Sequence, residues 1–230
     1  MNEDSMGPLR EPVLESAGIP HGFGRRGSAA PIATVWPVQV HGTGVFDADH
    51  ISAGAAQPEA DAVVSRMAGS YVGIVTADCV PILAAAADGS AVAAIHAGWR
   101  GLAAGVIERG LGALRARTSD TPILCGVGPA ARACCYEVDE PVRRALADRH
   151  GDLVEACLEP SRPGHHRLDL SGLASRVLEQ SGVELTHIGV SHRVCTICDG
   201  DRFESFRRDG ADSGRLRHFI GALATGRDQG

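Results

Sequence analysis

Aromatic residues are scarce in this chain: five Phe, two Trp and two Tyr among 230 residues. So few rings offer little surface for stacking exposed bases. Cationic residues are also in deficit, 22 against 28 acidic ones, and the formal charge of −6 argues against a nucleic-acid partner. With no clustered basic run, an anionic membrane surface is an equally poor match. No window approaches the roughly eighteen consecutive apolar residues of a membrane-spanning helix. MNEDSMGPLR lacks the apolar stretch of a signal peptide. The seven cysteines are odd in number and irregularly spaced, unlike a disulfide framework. The expectation is therefore a cytoplasmic protein with reduced thiols. Repeats at solenoid periods are missing. So are HExxH, GxSxG, the P-loop and the zinc-deaminase pairing of H-x-E with P-C-x-x-C.

What remains is ordinary soluble-protein material, 44% apolar and 22% charged, with length enough for a sizeable core. Residues 1–31, rich in Gly, Pro and Arg, read as irregular. The organisation expected is a leader over 1–21 and one domain over 22–230. TVWPVQV (34–40) reads as a strand ending at His41-Gly42, and ISAGAAQPEA (51–60) as a loop. DAVVS, YVGIVTA, VPILAAA and SAVAAIHA read as four strands, from their β-branched residues and turn punctuation. Several are apolar on both faces, which implies a sheet covered on each side. From Gly101 to Arg117, Leu102, Val106 and Leu114 fall at helical spacing. TPILCGVG and ELTHIGVS read as further strands. DEPVRRALADRH and LSGLASRVLEQSG read as helices, the second opening after Asp169 and stopped by Gly182. This mixture predicts an α/β (α+β) layered domain.

Cys79 heads an apolar strand, and His96 follows it by seventeen positions. Between the two strands lies Asp88-Gly89, the strongest short signal for a two-residue type I′ turn. That turn pairs Ala87 with Ser90, makes opposed positions sum to 177 and sets His96 opposite Pro81. Cys79 then falls on the same face, diagonal to His96, at a Cα spacing of roughly 7–8 Å. A one-residue slip would separate them, and Pro81 disturbs the ladder. The pair is either two packed core side chains, a nucleophile with its base, or part of a metal site. GFGRRG (22–27) matches G-x-G-x-x-G without the strand and helix that would cradle a pyrophosphate. CTIC, Cys195 to Cys198, is a single CxxC with only His192 near, and incidental packing is expected. Cys134 and Cys135 are expected to pack near the site without redox pairing.

QVHG, TADCVPIL, HAGWRGLAAGV, GVGPAARACCYEV and FESFRRDGADSGR together resemble the successive signatures of the YfiH-like family. Its members are also called laccase-domain or multicopper polyphenol oxidase-like proteins, and purine nucleoside phosphorylases. The resemblance runs from about Gly22 to Ile220. It implies a single domain with mixed sheets in α/β/β/α layers, similar to bacterial toxin-type (CNF-type) cysteine hydrolases. It also implies a metal, usually zinc, on His41, Cys79 and His96, with the same three residues as the catalytic set. Three ligands of N and S type with an open fourth position suit a catalytic zinc, and coordination favours the thiolate. Copper would bind such a set too. Ten histidines without an H-x-H pair do not, however, supply a laccase's several coppers. Asp78, its side chain expected on the other face, ranks low for orienting a ligand.

The activity implied is zinc-dependent phosphorolysis of purine nucleosides (adenosine, inosine, guanosine, methylthioadenosine), with adenosine deamination as a second activity. The partners implied are a nucleoside and inorganic phosphate, with no nucleic acid and no membrane. Phosphate attacks the ribose C1′ as the purine leaves, so an anion must be held. Arg26, matching the arginine of the family's GFSTR segment, is one candidate for that task. Arg100, beside the amides that open a helix at Gly101, is another. Gln39, Arg207 and Arg208 are further substrate-binding candidates. Deamination would direct an activated water to the purine C6. The rival is a metal-free hydrolase or amidase acting on muropeptide precursors, with Cys79 as nucleophile and His96 as base. Polyphenol oxidation, after the older family name, and metal binding without turnover complete the set. Two departures from the family pattern stand out: the stretch between Arg26 and TVWPVQV is short, and Phe206 stands where Tyr or His is favoured.

Overall fold

The structure is a computed structural model that describes residues 7–51, 56–118 and 120–224. The start of the polar N-terminus, four residues of the loop read over 51–60 and the last residues of the expected domain lie outside them.

A six-stranded mixed sheet forms the centre. Its members are β3 (Val45–Asp47), β4 (Ala62–Ser65), β6 (Val80–Ala86), β7 (Val92–Ala97), β8 (Ile123–Val127) and β12 (Ile188–Gly189). Their order is β12-β8-β6-β7-β4-β3. The two edge strands run parallel to their neighbours, and the inner pairs are antiparallel. A four-stranded sheet of β1 (His21–Gly22), β2 (Thr34–Val35), β5 (Tyr71–Thr76) and β13 (Leu216–Gly221) has the order β1-β13-β5-β2. A small antiparallel sheet adds β9 (Glu137–Asp139), β10 (Leu158–Pro160) and β11 (His165–Leu168). The helices are α1 (Pro12–Glu15), α2 (Trp99–Ala104), α3 (Val106–Arg115), α4 (Glu140–His150), α5 (Asp152–Glu155), α6 (Leu170–Gln180) and α7 (Phe206–Asp209). The fold is a single mixed α/β domain.

The two-faced strands work as the alternation requires. Ala62, Val64, Ile82, Ala84, Ala93 and Ile95 pack with Leu102, Val106, Leu111 and Leu114 of α2 and α3. Their neighbours Val63, Leu83, Ala85, Val92 and Ala94 pack against Val72, Ile74 and Ile220 of the second sheet. Burial on both faces makes these strands almost wholly apolar, and every position of β6 and β7 is buried, His96 near the end of β7 included. α3 lies close on β7 because Gly110 faces Ile95; a Cβ there would sit 2.6 Å from Ile95 Cδ1. Asp139 and Asp169 cap α4 and α6, accepting from Val142 N at 3.2 Å and Gly172 N at 3.1 Å.

Several sequence expectations need correction. The helix read from Gly101 opens at Trp99 and breaks at Gly105 (φ 91°), giving α2 and α3. TVWPVQV forms only the two-residue β2 and a bridge from Val38 to Glu59, since Pro37 cannot donate to a ladder. ELTHIGVS is a 3₁₀ turn leading into the short β12. Within the segment read as irregular, α1 and β1 bury Leu14 and His21. The hairpin register is the one read from the sequence, Pro81 facing His96. Its turn is different: Gly89 N–H donates to Ala86 O, and of the Asp-Gly pair only Gly89 has positive φ. A type I′ turn needs both.

Candidate active site

Three segments converge at the ends of these strands. His96 lies one residue from the end of β7. Cys79 sits in the bend just before β6, where Asp78 adopts φ 88°. His41 comes from the loop after β2, itself at φ 60°. Two non-glycine residues in the left-handed region at one spot mark a backbone held by its surroundings. The ligating atoms of His41, Cys79 and His96 all lie within 4.8 Å of one another. The two imidazoles meet edge to face, with centroids 4.9 Å apart.

Asp61, just before β4, organises this trio. Its carboxylate accepts from the backbone N–H of His41 (2.9 Å), Gly42 (2.6 Å) and Val40 (3.3 Å). It also pairs with His96 Nδ1 at 2.8 Å, which leaves Nε2 to face Cys79 and His41. One buried carboxylate thus sets both the ring of His96 and the loop that carries His41. Burial alone would raise the Asp61 pKa; the His96 and amide hydrogen bonds outweigh it and bring the net value below the usual range. For His96, burial would favour the neutral ring, but the bonds to Asp61 and Cys79 prevail and raise it to about 9. The Cys79 thiol would be raised by burial, yet His41 and His96 bring it down to about 7. Nothing in the local pattern marks Asp61: it reads as a polar residue opening DAVVS, and only the register of β4 against β7 brings it under His96.

The donor set can hold a metal. Two imidazole nitrogens and a readily ionised thiol lie together, one imidazole fixed from behind by a carboxylate, the usual support for a ligating histidine. Gly98 keeps the space clear, since a Cβ there would come within 2.9 Å of Cys79 Sγ and 3.3 Å of His41 Cδ2.

The trio opens on a cavity of about 580 Å³. Trp99, Tyr136 and Phe206 line it, so the fold gathers scarce rings at one place. Burial, and then the charge on Cys79, push the Tyr136 phenol up to about 12. Of the sequence-predicted binding residues, Gln39, Arg100 and Arg207 line the cavity. Gln39 spends its amide on Val75, donating to its O at 2.8 Å and accepting from its N at 2.7 Å. Arg207 stacks over Tyr136 at 4.8 Å and donates to Glu137 O. Arg100 stacks over Trp99 at 4.4 Å, and among the described residues no carboxylate pairs with it. Arg26 and Arg208 do not line the cavity. Arg26 is paired with Glu204 (3.1 Å) and Asp209 (3.5 Å), and Arg208 ties Asp209 to the carbonyls of Thr196, Ile197 and Phe203. Arg215, which the sequence did not single out, joins the lining. Asp78 does point away from the trio. It accepts from Thr196 Oγ1 (2.7 Å), Ser205 Oγ (3.0 Å) and Arg207 N (2.6 Å), anchoring the cavity wall. CTIC is not incidentally packed: Cys195 and Cys198 meet Cys134 and Cys135, sixty or more positions upstream by chain numbering.

A model of the multi-copper polyphenol oxidoreductase laccase family matches residues 24–223. The chain belongs to this family. A purine nucleoside phosphorylase of Xylella fastidiosa (strain Temecula1) is 42% identical over 183 residues, 78% of this chain and 68% of that protein. Purine nucleoside phosphorylase YfiH of Escherichia coli is 35% identical over 192 residues, 83% and 74% of the two chains. Among solved structures, NMB0706 of Neisseria meningitidis superposes with a TM-score of 0.74 at 31% identity, covering 92% of this chain and 78% of that one. YlmD of Geobacillus stearothermophilus gives 0.73 at 32%, covering 84% and 74%. The family's laccase-like title sits beside relatives named for nucleoside chemistry, and the site geometry bears on which applies here.

Proposed function

We propose that this protein is a metal-dependent purine nucleoside phosphorylase whose reaction takes place over His41, Cys79 and His96. The observation that carries this reading is the convergence of those three donors at the floor of a cavity with aromatic walls and cationic side chains. Its volume falls within the roughly 300–1,000 Å³ of small-molecule sites. Trp99, Tyr136 and Phe206 offer faces for a purine ring, and Tyr136 stays protonated and able to donate at neutral pH. Arg100, stacked but without a carboxylate partner, is the group best placed to hold phosphate. Arg207 is half committed to Glu137 O and contributes its charge from the wall.

Zinc suits the His₂Cys set and, when bound, would supply a Lewis acid beside the reacting atoms. The chain's own part is to orient the sugar, hold the anion and exclude water. In the reaction a phosphate oxygen forms a bond to the ribose C1′ while the C1′–N9 bond breaks. The electron pair leaves with the purine, which takes up a proton. Adenosine deamination would use the same cavity, water replacing the C6 amino group with release of ammonia. Incubation with phosphate and adenosine or inosine should release free base and ribose 1-phosphate in equal amounts, and inosine formation from adenosine would reveal the second activity. Base release that is absent, or that continues unchanged without phosphate, contradicts the proposal.

One observation favours a second reading, a metal-free thiol hydrolase. Asp61, His96 and Cys79 are linked in the order of an acid, a base and an activated nucleophile, and the thiol is pulled down to about 7. Protein purified without added metal separates the two: rapid alkylation of Cys79 with no bound metal supports the hydrolase, and a protected, metal-bound Cys79 the phosphorylase.

A further inference from the structure

On the outer side of the cavity wall, two loops far apart in sequence bring four cysteines together. The Sγ atoms of Cys134, Cys135, Cys195 and Cys198 all lie within 4.8 Å of one another. Cys198 stands 3.3 Å from Cys134 and 2.9 Å from Cys135. Four thiolates around zinc, each at about 2.3 Å, have S···S edges of roughly 3.8 Å, so small side-chain shifts place all four on one centre. The CTIC turn carries a second mark of a thiolate site. Cys195 Sγ accepts hydrogen bonds from the backbone N–H of Ile197 and Cys198, and from that of Arg132 in the opposite loop. Backbone donors aimed at one sulfur stabilise its charge and fix its direction, as outer-shell partners do for metal ligands. Cys195 is buried, Cys135 half-buried, and Cys134 and Cys198 exposed, so an ion has a path in from solvent. Arg132 and Arg193 line the cleft over the cluster with Asp199 and Asp201.

We infer that Cys134, Cys135, Cys195 and Cys198 form a closed, four-thiolate structural zinc site, separate from the His41–Cys79–His96 centre. Closed S₄ sets select zinc for structure, since no position is left for a reactant. Binding releases the thiol protons to solvent and fastens the 132–136 turn to the 194–199 turn. Both turns lead straight into the cavity wall: Tyr136 follows the first pair, while Thr196 bonds Asp78 and Arg208 bonds the carbonyls of Thr196 and Ile197. The ion would hold that wall without touching the reaction.

The full chain, purified without added metal, would be analysed for zinc as wild type, as the His41→Ala/Cys79→Ala double variant and as that double variant also carrying Cys195→Ser or Cys198→Ser. The double variant should keep one zinc per chain, and adding either serine change should remove it. Cobalt substituted into the double variant should show the intense visible band of a tetrahedral thiolate site. Should a serine variant fail to fold, thiol counting on the denatured double variant, which keeps six of the seven cysteines, still decides. Six free thiols released together with one zinc support the site. A Cys135–Cys198 disulfide, six free thiols with no metal, or zinc that disappears from the double variant overturns it. Because the double variant lacks the first centre, this result stands apart from that of the phosphorolysis assay.

Discussion

Replacing Asp61 with Asn changes one atom and puts the whole arrangement to the test. The carboxylate receives three backbone N–H groups and His96 Nδ1. An amide has one acceptor and one donor, so either orientation of Asn sets an N–H against backbone N–H groups. With Nδ2 in the place of Oδ2, the bonds from Gly42 and Val40 are lost; with Nδ2 in the place of Oδ1, those from His41 and His96 are. A hydrogen bond to a charged group contributes about 1.5–3 kcal/mol, so losing two costs roughly 3–6 kcal/mol. At about 2–4 °C per kcal/mol for a chain of this size, melting should fall by at least roughly 6–12 °C. Loosening the imidazole that ligates from Nε2 should weaken metal binding by about 10–100-fold. Calorimetry and a chelator competition on the same preparation measure both. A variant that melts within about 2 °C of wild type and holds metal within about twofold would refute the role assigned to Asp61.

Gly98→Ala should weaken metal binding by roughly tenfold or more with little change in melting, because its Cβ would crowd Cys79 Sγ while the backbone there is ordinary (φ −73°); unchanged affinity in the competition assay would count against the cradle. Asp78→Asn should lower stability by about 1–3 kcal/mol and raise the nucleoside KM more than it lowers kcat, since Asp78 holds the segment bearing Phe206 and Arg207. His218 is buried, accepts from Gly24 N–H and is held by burial, with help from the charge on His96, at about 3. A depressed histidine leaves the unfolded chain binding more protons, so stability falls as pH drops below the unfolded value of about 6.5. The slope is about 1.4 kcal/mol per pH unit until the folded pKa is reached. Denaturant titrations between pH 7 and 5 should show this slope, and His218→Gln should flatten it.

The parts of this fold legible in the sequence are those set by neighbours along the chain. Asp88-Gly89 sets the register of β6 on β7 and so the meeting of Cys79 with His96, even though the turn closes differently. Asp139 and Asp169 announce their helices through side-chain caps. Where pairing depends on remote partners, the local pattern misleads. Val38 and Val40 are apolar yet about half exposed, at 46% and 49%, because their loop is held by one bridge at Val38 and by the Asp61 and Gln39 side chains rather than by a continuous ladder. Arg26 matches the arginine of the family's GFSTR segment, but Glu204 and Asp209, which pair with it, arrive from the other end of the chain. Asp61 and the four-cysteine cluster escaped for the same reason. A single CxxC looks idle until a fold supplies the second pair.

X-ray absorption at the zinc edge, on protein purified without added metal and carrying Cys198→Ser, tests the centre most directly. The shell predicted is one sulfur near 2.3 Å, two imidazole nitrogens at about 2.0–2.1 Å and a further light atom at the open position. A shell without imidazole scattering, or protein that carries no metal while Cys79 reacts freely, would contradict the account.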